Sequence, residues 1–232
     1  MERLTEGMSV LIKICGLSTP DTLETALEAG ADMVGFVFFE PSPRHLGLEA
    51  ARTLGARVRG RAKKVALTVD ASDDALARII EALAPDILQL HGRETPDRVV
   101  VVRTRFGRPV IKALPVARRE DLGPIRIYEK IADRILFDAR APREATRPGG
   151  LGQPFDWRLL ENLDQSLAFM LSGGLDAANV ANALAITRAG AVDVSSGVEG
   201  ALGVKDPDKI RAFIRAVRAA EASLKPKNTA SA

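Results

Sequence analysis

The sequence predicts an α/β fold of the (βα)8 type, a TIM barrel in a single domain. Apolar runs of strand length alternate eight times with helix-length amphipathic segments, and strands separated by helices form a parallel sheet because each return needs a crossover. The first turn offers only Gly16, whereas a dinucleotide-binding sheet calls for a Gly-x-Gly-x-x-Gly turn. The 232 residues fit one barrel.

The first strand is expected over 8–15 and its helix over 20–29, where Thr19-Pro20 sets a capping residue before a proline at the first helical position. Gly30 reads as the C-terminal cap, followed by a strand over 32–38 and a helix over 48–58. Units three and four are expected at 63–69 with 73–83, and at 86–91 with 96–105 behind Thr95-Pro96. Unit five reads as 109–114 with 118–131; unit six as 134–138, a loop over 139–154 and a helix over 155–163. Unit seven is 167–172 with 176–186, closed by Gly190; unit eight is 191–195 with 207–222 behind Asp206-Pro207. The passages 26–38 and 183–197 resemble each other, alanine-rich helix, Gly-Ala, then an Asp-containing strand, as in a repeating unit. Residues 1–223 are expected to form one catalytic domain, and 224–232 a disordered tail.

Composition narrows the class. At 46% hydrophobic and 27% charged residues the chain is ordinary globular protein. One cysteine excludes a disulfide framework and a cysteine zinc cluster, and two distant histidines argue against a metal site. No metal and no cofactor are expected. No apolar run is long enough to span a membrane, and the first residues lack the pattern of a signal peptide, so the cytoplasm is the expected compartment. The run Arg57 to Lys64 holds five basic residues but lacks interleaved aromatics, and reads as a solvated helix end rather than a nucleic-acid surface. A net charge of +3 suits an anionic small substrate.

Side chains alternate faces along a strand. If Val10, Ile12 and Ile14 face the helices, Lys13 and Cys15 face inward. The same parity sends Gln89 and His91, Asp138, and Asp193 and Ser195 inward. These polar residues gather toward the C-terminal strand ends, where barrel active sites lie. Cys15 as thiolate is a candidate base, with Lys13 two residues back to stabilise it. Asp138 is a candidate acid, kept protonated by burial. The loops Ser172-Gly173-Gly174 and Ser195-Ser196-Gly197, after strands seven and eight, stand where such barrels cradle phosphate. Arg44, presented by the stiff loop Pro41-Ser42-Pro43, is suited to a carboxylate. The long loop after Asp138 reads as a lid. Lys112 would be a Schiff-base lysine only if Val110 and Leu114 also faced inward.

Several motifs, in order over about residues 8–215, resemble the phosphoribosylanthranilate isomerase family of tryptophan biosynthesis. They are Lys13-Ile14-Cys15-Gly16, Gly35-Phe36-Val37-Phe38 with Ser42-Pro43-Arg44, Leu88-Gln89-Leu90-His91-Gly92 and Phe137-Asp138. They continue with Gly149-Gly150-Leu151-Gly152, Phe155-Asp156-Trp157, Leu171-Ser172-Gly173-Gly174-Leu175 with Asn179-Val180, and Val192-Asp193-Val194-Ser195-Ser196-Gly197-Val198-Glu199. His45 follows Arg44, where the family often carries an aromatic. The resemblance implies an Amadori rearrangement without cofactor, Asp138 as general acid, Cys15 as base, Arg44 on the substrate carboxylate, and Gly173, Gly174, Ser195, Ser196 and Gly197 on the phosphate. Lys13, Gln89, His91 and Asp193 are expected in support. The partner would be a small phosphorylated molecule, with no nucleic acid or membrane, and the chain a monomer or homodimer. The alternatives are the related histidine-pathway aminoaldose isomerase, against which Cys15 argues, and a sugar-phosphate-binding regulatory barrel without turnover.

Overall fold

The computed structural model describes residues 9–224, apart from 143, 146, 151, 153 and 165; the expected tail beyond 224 lies outside the described residues. The strands are β1 (Leu11–Cys15), β2 (Met33–Phe38), β3 (Lys63–Thr68), β4 (Ile87–Leu90), β5 (Val110–Val116), β6 (Arg134–Ala139), β7 (Phe169–Leu171) and β8 (Ala191–Val194). They close into a parallel barrel in chain order, β8 pairing β1. Around it run α1 (Pro20–Glu28), α2 (Leu48–Val58), α3 (Asp73–Leu83), α4 (Pro96–Phe106), α5 (Ile125–Tyr128), α6 (Val180–Thr187) and α7 (Pro207–Leu224). The expected (βα)8 barrel is borne out.

The caps at Thr19, Thr95 and Asp206 form as the sequence suggests, each side chain accepting from a first-turn backbone N–H. Four local expectations are corrected. The helix expected over 118–131 is split into a 3-10 turn at Arg119–Leu122 and the short α5, because Pro124 has no N–H to continue the ladder. The helix expected over 155–163 is only a 3-10 turn, Trp157–Leu160; just beyond it Asp164 accepts from the Ser166 N–H and hydroxyl, which favours a turn. The helix expected from 176 starts at Val180, because Asp176 and Asn179 lock the preceding loop through their side chains. Arg188, with φ of 51°, rather than Gly190, takes the left-handed position after α6. A hairpin that the strand reading did not include, β9 (Glu199–Ala201) with β10 (Val204–Lys205), follows β8. It turns on Gly203, whose φ is +79° and whose absent side chain lets it lie against the Pro43 carbonyl.

The core has two shells. Ile12, Ile14, Val34, Leu88, Leu90, Ile135, Phe137, Val192 and Val194 face outward and pack under the helices. Met33, Val65, Ile111, Ala113, Leu136, Met170 and Ala191 fill the barrel itself. Above them Cys15, Val37 and Leu67 form the apolar floor of the mouth. The parity inferred for strands one, four, six and eight therefore holds. Val110 and Leu114 lie in the outer shell, so Lys112 faces outward, where it binds Glu94 at 2.7 Å and the Leu90 and Gly92 carbonyls. A Schiff-base role at the mouth is thereby removed.

At the opposite end the strands are latched in pairs. Asp32 just before β2 accepts from the Ile12 N–H at 2.8 Å and donates its own N–H to the Ile12 carbonyl at 2.9 Å. Asp86 does the same with Lys64, and Asp133 with Val110. Each latch joins an odd strand to the next even one and fixes its register. Asp86→Ala should lower stability by about 1 kcal/mol, the worth of a half-exposed charge-assisted hydrogen bond, while leaving ligand binding intact. Urea denaturation with an unchanged midpoint would contradict the latch.

Candidate active site

At the C-terminal mouth of the barrel a pocket encloses about 830 Å³, its opening included, within the range of small-molecule sites. Cys15, Arg44, His91, Asp138, Gly173, Gly174, Asp193, Ser195 and Ser196 all line it. Lys13 and Gln89, fully buried, stand behind the lining. Gly197 is not part of the wall. Its absent side chain lets the loop after β8 press against the Leu175 carbonyl of the loop after β7.

Cys15 ends β1 and is buried. Lys13 Nζ pairs with Asp193 Oδ1 at 2.9 Å, joining β1 to β8 inside the barrel. Gly35 of β2 makes this possible, since a Cβ there would sit 3.0 Å from Cys15 Sγ and 3.1 Å from Lys13 Nζ. Burial pushes the Cys15 thiol up and Asp193 adds to it, outweighing the opposing pull of Lys13. Burial alone would lower the Lys13 ammonium, but Asp193 and Cys15 beside it hold it above its ordinary value. The expectation that Lys13 lowers the thiol is met only in part, because its charge is already paired.

Asp138, near the end of β6, accepts from the Ala139 N–H at 3.0 Å through Oδ1, and its Oδ2 lies 3.1 Å from His91 Nε2. Gln89 Nε2 lies 3.0 Å from His91 Nδ1. With the amide donating to Nδ1, the ring proton falls on Nε2 and is donated to Asp138. Gln89 Oε1 is left buried without a partner. Gly149 roofs this trio, because any side chain there would collide with Asp138 Oδ2 and His91 Nε2.

Arg44 is buried, its Nε and Nη2 forking onto Glu199 at 2.6 and 2.9 Å and its Nη2 also reaching the Gly150 carbonyl at 3.2 Å. Among the described residues its Nη1 has no hydrogen-bond partner, and it is the atom nearest the roof at Gly150. Glu199 also accepts from Lys205 Nζ at 2.8 Å and the Gly203 N–H at 3.1 Å. Burial would raise this carboxyl, but Arg44 and Lys205 hold it at about 2. The Ser195 hydroxyl is committed, donating to the Cys15 carbonyl at 3.1 Å and lying 3.1 Å from Lys205 Nζ. Gly173 and Gly174 have φ of +87° and +66°, and Asn179 Nδ2 fixes the Gly174 carbonyl at 2.8 Å.

Sequence reasoning missed several parts of the site. Val37, Phe39, Leu67 and Val69 form one apolar wall, whereas His45 is exposed and outside the pocket. Glu199 and Lys205, on the β9–β10 hairpin, carry no strand-parity signal that would mark them as site residues. Gly200 and Gly203, which bracket a short Ala-Leu segment, were the available sign of a hairpin. Of the loop 139–154, residues 143, 146, 151 and 153 lie outside the described residues. Arg140, Pro142, Arg147, Gly149, Gly150 and Gly152 all border the pocket.

Fold and mouth together define the class: a (βα)8-barrel enzyme whose acid, thiol and cationic groups converge on one small-molecule pocket. A family profile described as N-(5'-phosphoribosyl)anthranilate (PRA) isomerase matches residues 12–216. The N-(5'-phosphoribosyl)anthranilate isomerase of Bradyrhizobium diazoefficiens is 68% identical over 214 residues, covering 92% of this chain and 96% of that protein. The enzyme of the same name from Nitrobacter winogradskyi is 65% identical over 218 residues, 94% of this chain and 97% of its own. The crystal structure of phosphoribosyl anthranilate isomerase from Thermotoga maritima superposes with a TM-score of 0.81 at 33% identity, covering 90% of this chain and 99% of that one. A phosphoribosyl anthranilate isomerase in complex with reduced 1-(o-carboxyphenylamino)-1-deoxyribulose 5-phosphate gives a TM-score of 0.78 at 31% identity, covering 90% of this chain and 99% of that one. The chain belongs to the N-(5'-phosphoribosyl)anthranilate isomerase family.

Gly149→Ala should cut turnover by about 100-fold, the scale of a displacement near 1 Å at reacting groups, with little change in thermal stability. Activity within twofold of the parent would show that the roof is not held against Asp138.

Proposed function

We propose that this chain catalyses the Amadori rearrangement of N-(5-phosphoribosyl)anthranilate to 1-(2-carboxyphenylamino)-1-deoxyribulose 5-phosphate, the isomerisation in tryptophan biosynthesis. The observation that carries the mechanism is that Cys15 and Asp138, from strands one and six, line the same pocket. Asp138 protonates the ribose ring oxygen and the ring opens to an imine. Cys15 then removes the proton from C2, giving an enolamine that tautomerises to the ketone by gaining a proton at C1 and losing one from the C2 hydroxyl. General acid and base on opposite sides of one sugar supply the two proton transfers the reaction needs.

His91 and Gln89 support the acid. Turning the Gln89 amide over reverses the relay. Oε1 then accepts from Nδ1–H, and His91 Nε2 accepts from a protonated Asp138. The trio is thus compatible with both protonation states of the acid. Arg44, pinned by Glu199, offers Nη1 to the anthranilate carboxylate. Val37, Phe39, Leu67 and Val69 receive the aromatic ring. Gly173, Gly174 and Ser196 hold the phosphate through backbone N–H groups and the Ser196 hydroxyl, with Ser195 and Gly197 shaping that loop. The segment carrying Gly149 and Gly150 closes over the substrate and excludes water. Residues 1–223 form the catalytic domain, acting as a monomer or homodimer in the cytoplasm. A lone cysteine and the lack, among the described residues, of a helix long and apolar enough to cross a membrane are in keeping with that.

Cys15→Ala and Asp138→Asn should each lose at least about 100-fold in kcat, the usual scale of general acid–base catalysis. Both should still bind the reduced product analogue in calorimetry. Full turnover by either variant would remove that residue from the chemistry. Arg44→Ala should chiefly raise KM, by about 10- to 100-fold for a lost charge-assisted contact. An unchanged KM would place the carboxylate elsewhere.

A further inference from the structure

The hairpin β9–β10 carries two charged groups given no part in the proton transfers above, Glu199 and Lys205. Lys205 is buried, and its Nζ reaches the Ser195 carbonyl at 2.8 Å, Ser195 Oγ at 3.1 Å and Glu199 Oε1 at 2.8 Å. Ser195 Oγ gives its own proton to the Cys15 carbonyl, so toward Lys205 it accepts. Three acceptors around one nitrogen match the three protons of an ammonium. Lys205 is thus one hydroxyl, Ser195 Oγ, away from the backbone carbonyl of Cys15; burial lowers its ammonium, while Glu199 beside it favours the charged form.

The charges around Cys15 can be counted by element. From its own strand comes Lys13, and from β8 comes Asp193, which neutralises it at 2.9 Å. The adjoining β2 presents Gly35, without charge. The hairpin presents Lys205, and Arg44, His91, Asp138, Arg140 and Arg147 lie around the same pocket. Arg44 and Lys205 share a single carboxylate, Glu199. That cluster keeps one positive charge in excess, and it is the cluster bonded to the end of β1.

We propose that Glu199 and Lys205 are positioning residues of the reaction: Lys205 brings the net positive charge of the Arg44–Glu199–Lys205 cluster to the end of β1, where it favours the Cys15 thiolate, and Glu199 limits that charge while holding Arg44 in place. Electrostatics agree in sign, since Lys205 pulls the thiol down against burial and against Asp193. Glu199 thereby links the two ends of the chemistry. When the substrate carboxylate binds Arg44, it joins the same charge cluster that governs the base.

The inference rests on Cys15 acting as the base, and the test separates the two. The chain has one cysteine, so thiolate absorbance near 240 nm, taken as the difference from Cys15→Ser, titrates this thiol directly and without substrate. Lys205→Met should raise the titration midpoint by about one pH unit or more. Glu199→Gln should lower it, because removing the carboxylate leaves both cations uncompensated. The acid limb of kcat/KM should follow each shift, and Lys205→Arg should restore most of the parent midpoint. A merely structural role predicts loss of activity in both variants with no shift, or shifts of the same sign, and either result overturns the proposal. If Lys205→Met does not fold, Glu199→Gln alone decides: a midpoint unmoved or raised defeats the inference. Parental turnover by Cys15→Ser would instead defeat the base assignment, whatever the titrations show.

Discussion

An ammonium and a carboxylate are sealed inside this barrel, and much of the mouth follows from the need to satisfy them. Lys13 and Asp193 meet at 2.9 Å with almost no solvent. Separating either from water costs several kcal/mol unless the other is in place. The pair spans β1 and β8, the strands that complete the cylinder, so closure and charge compensation are one event. It also demands space, which the absent side chain of Gly35 provides. Cys15 inherits the consequences: its thiol sits above a neutralised pair in an apolar floor, and burial pushes its titration up.

The mouth divides by chemistry. One side is apolar, made by Val37, Phe39, Leu67 and Val69. The other holds Asp138 with His91, the glycines after β7 and the serines after β8. Arg44 lies where these halves meet, its fork occupied by Glu199. A ligand with an aromatic acid at one end and a phosphate at the other can satisfy all three regions together. Val37 and Phe39 of that wall and Arg44 come from one stretch of chain, 37–44, and Leu67 and Val69 join them from β3 and the residue after it.

Much of this was legible in the sequence because alternation along strands is a strict geometric rule. Val10, Ile12 and Ile14 facing out forced Lys13 and Cys15 in, and the same parity tied Lys112 to Val110 and Leu114, which the structure turns toward the helices. Caps at Thr19, Thr95 and Asp206 were readable because hydroxyl or carboxylate followed by proline has a local meaning. What failed was governed by distant partners. The resemblance between 26–38 and 183–197 does mark the repeated unit, but its aspartates differ: Asp32 precedes its strand and latches backbone, whereas Asp193 lies within its strand and faces Lys13. The latch repeat, Asp32, Asp86 and Asp133, stands one residue before β2, β4 and β6, behind Ala or Pro, but what each carboxylate binds is a tertiary relation. Glu199 and Lys205 escaped notice because their significance depends on Arg44, 155 residues from Glu199. The break at Gly123-Pro124, the turn at Asp164 and the Asp176–Asn179 loop before α6 were local signals misread.

The three aspartate latches sit at the foot of the barrel and the reacting groups at its rim. Cohesion and chemistry are therefore vested in opposite ends of the same strands. Residues around the opening, such as Phe39 or those beside Gly149, are free to change without loosening the frame below. That separation gives a lineage latitude: the rim can be rewritten for a new ligand while the foot goes on holding the staves in line.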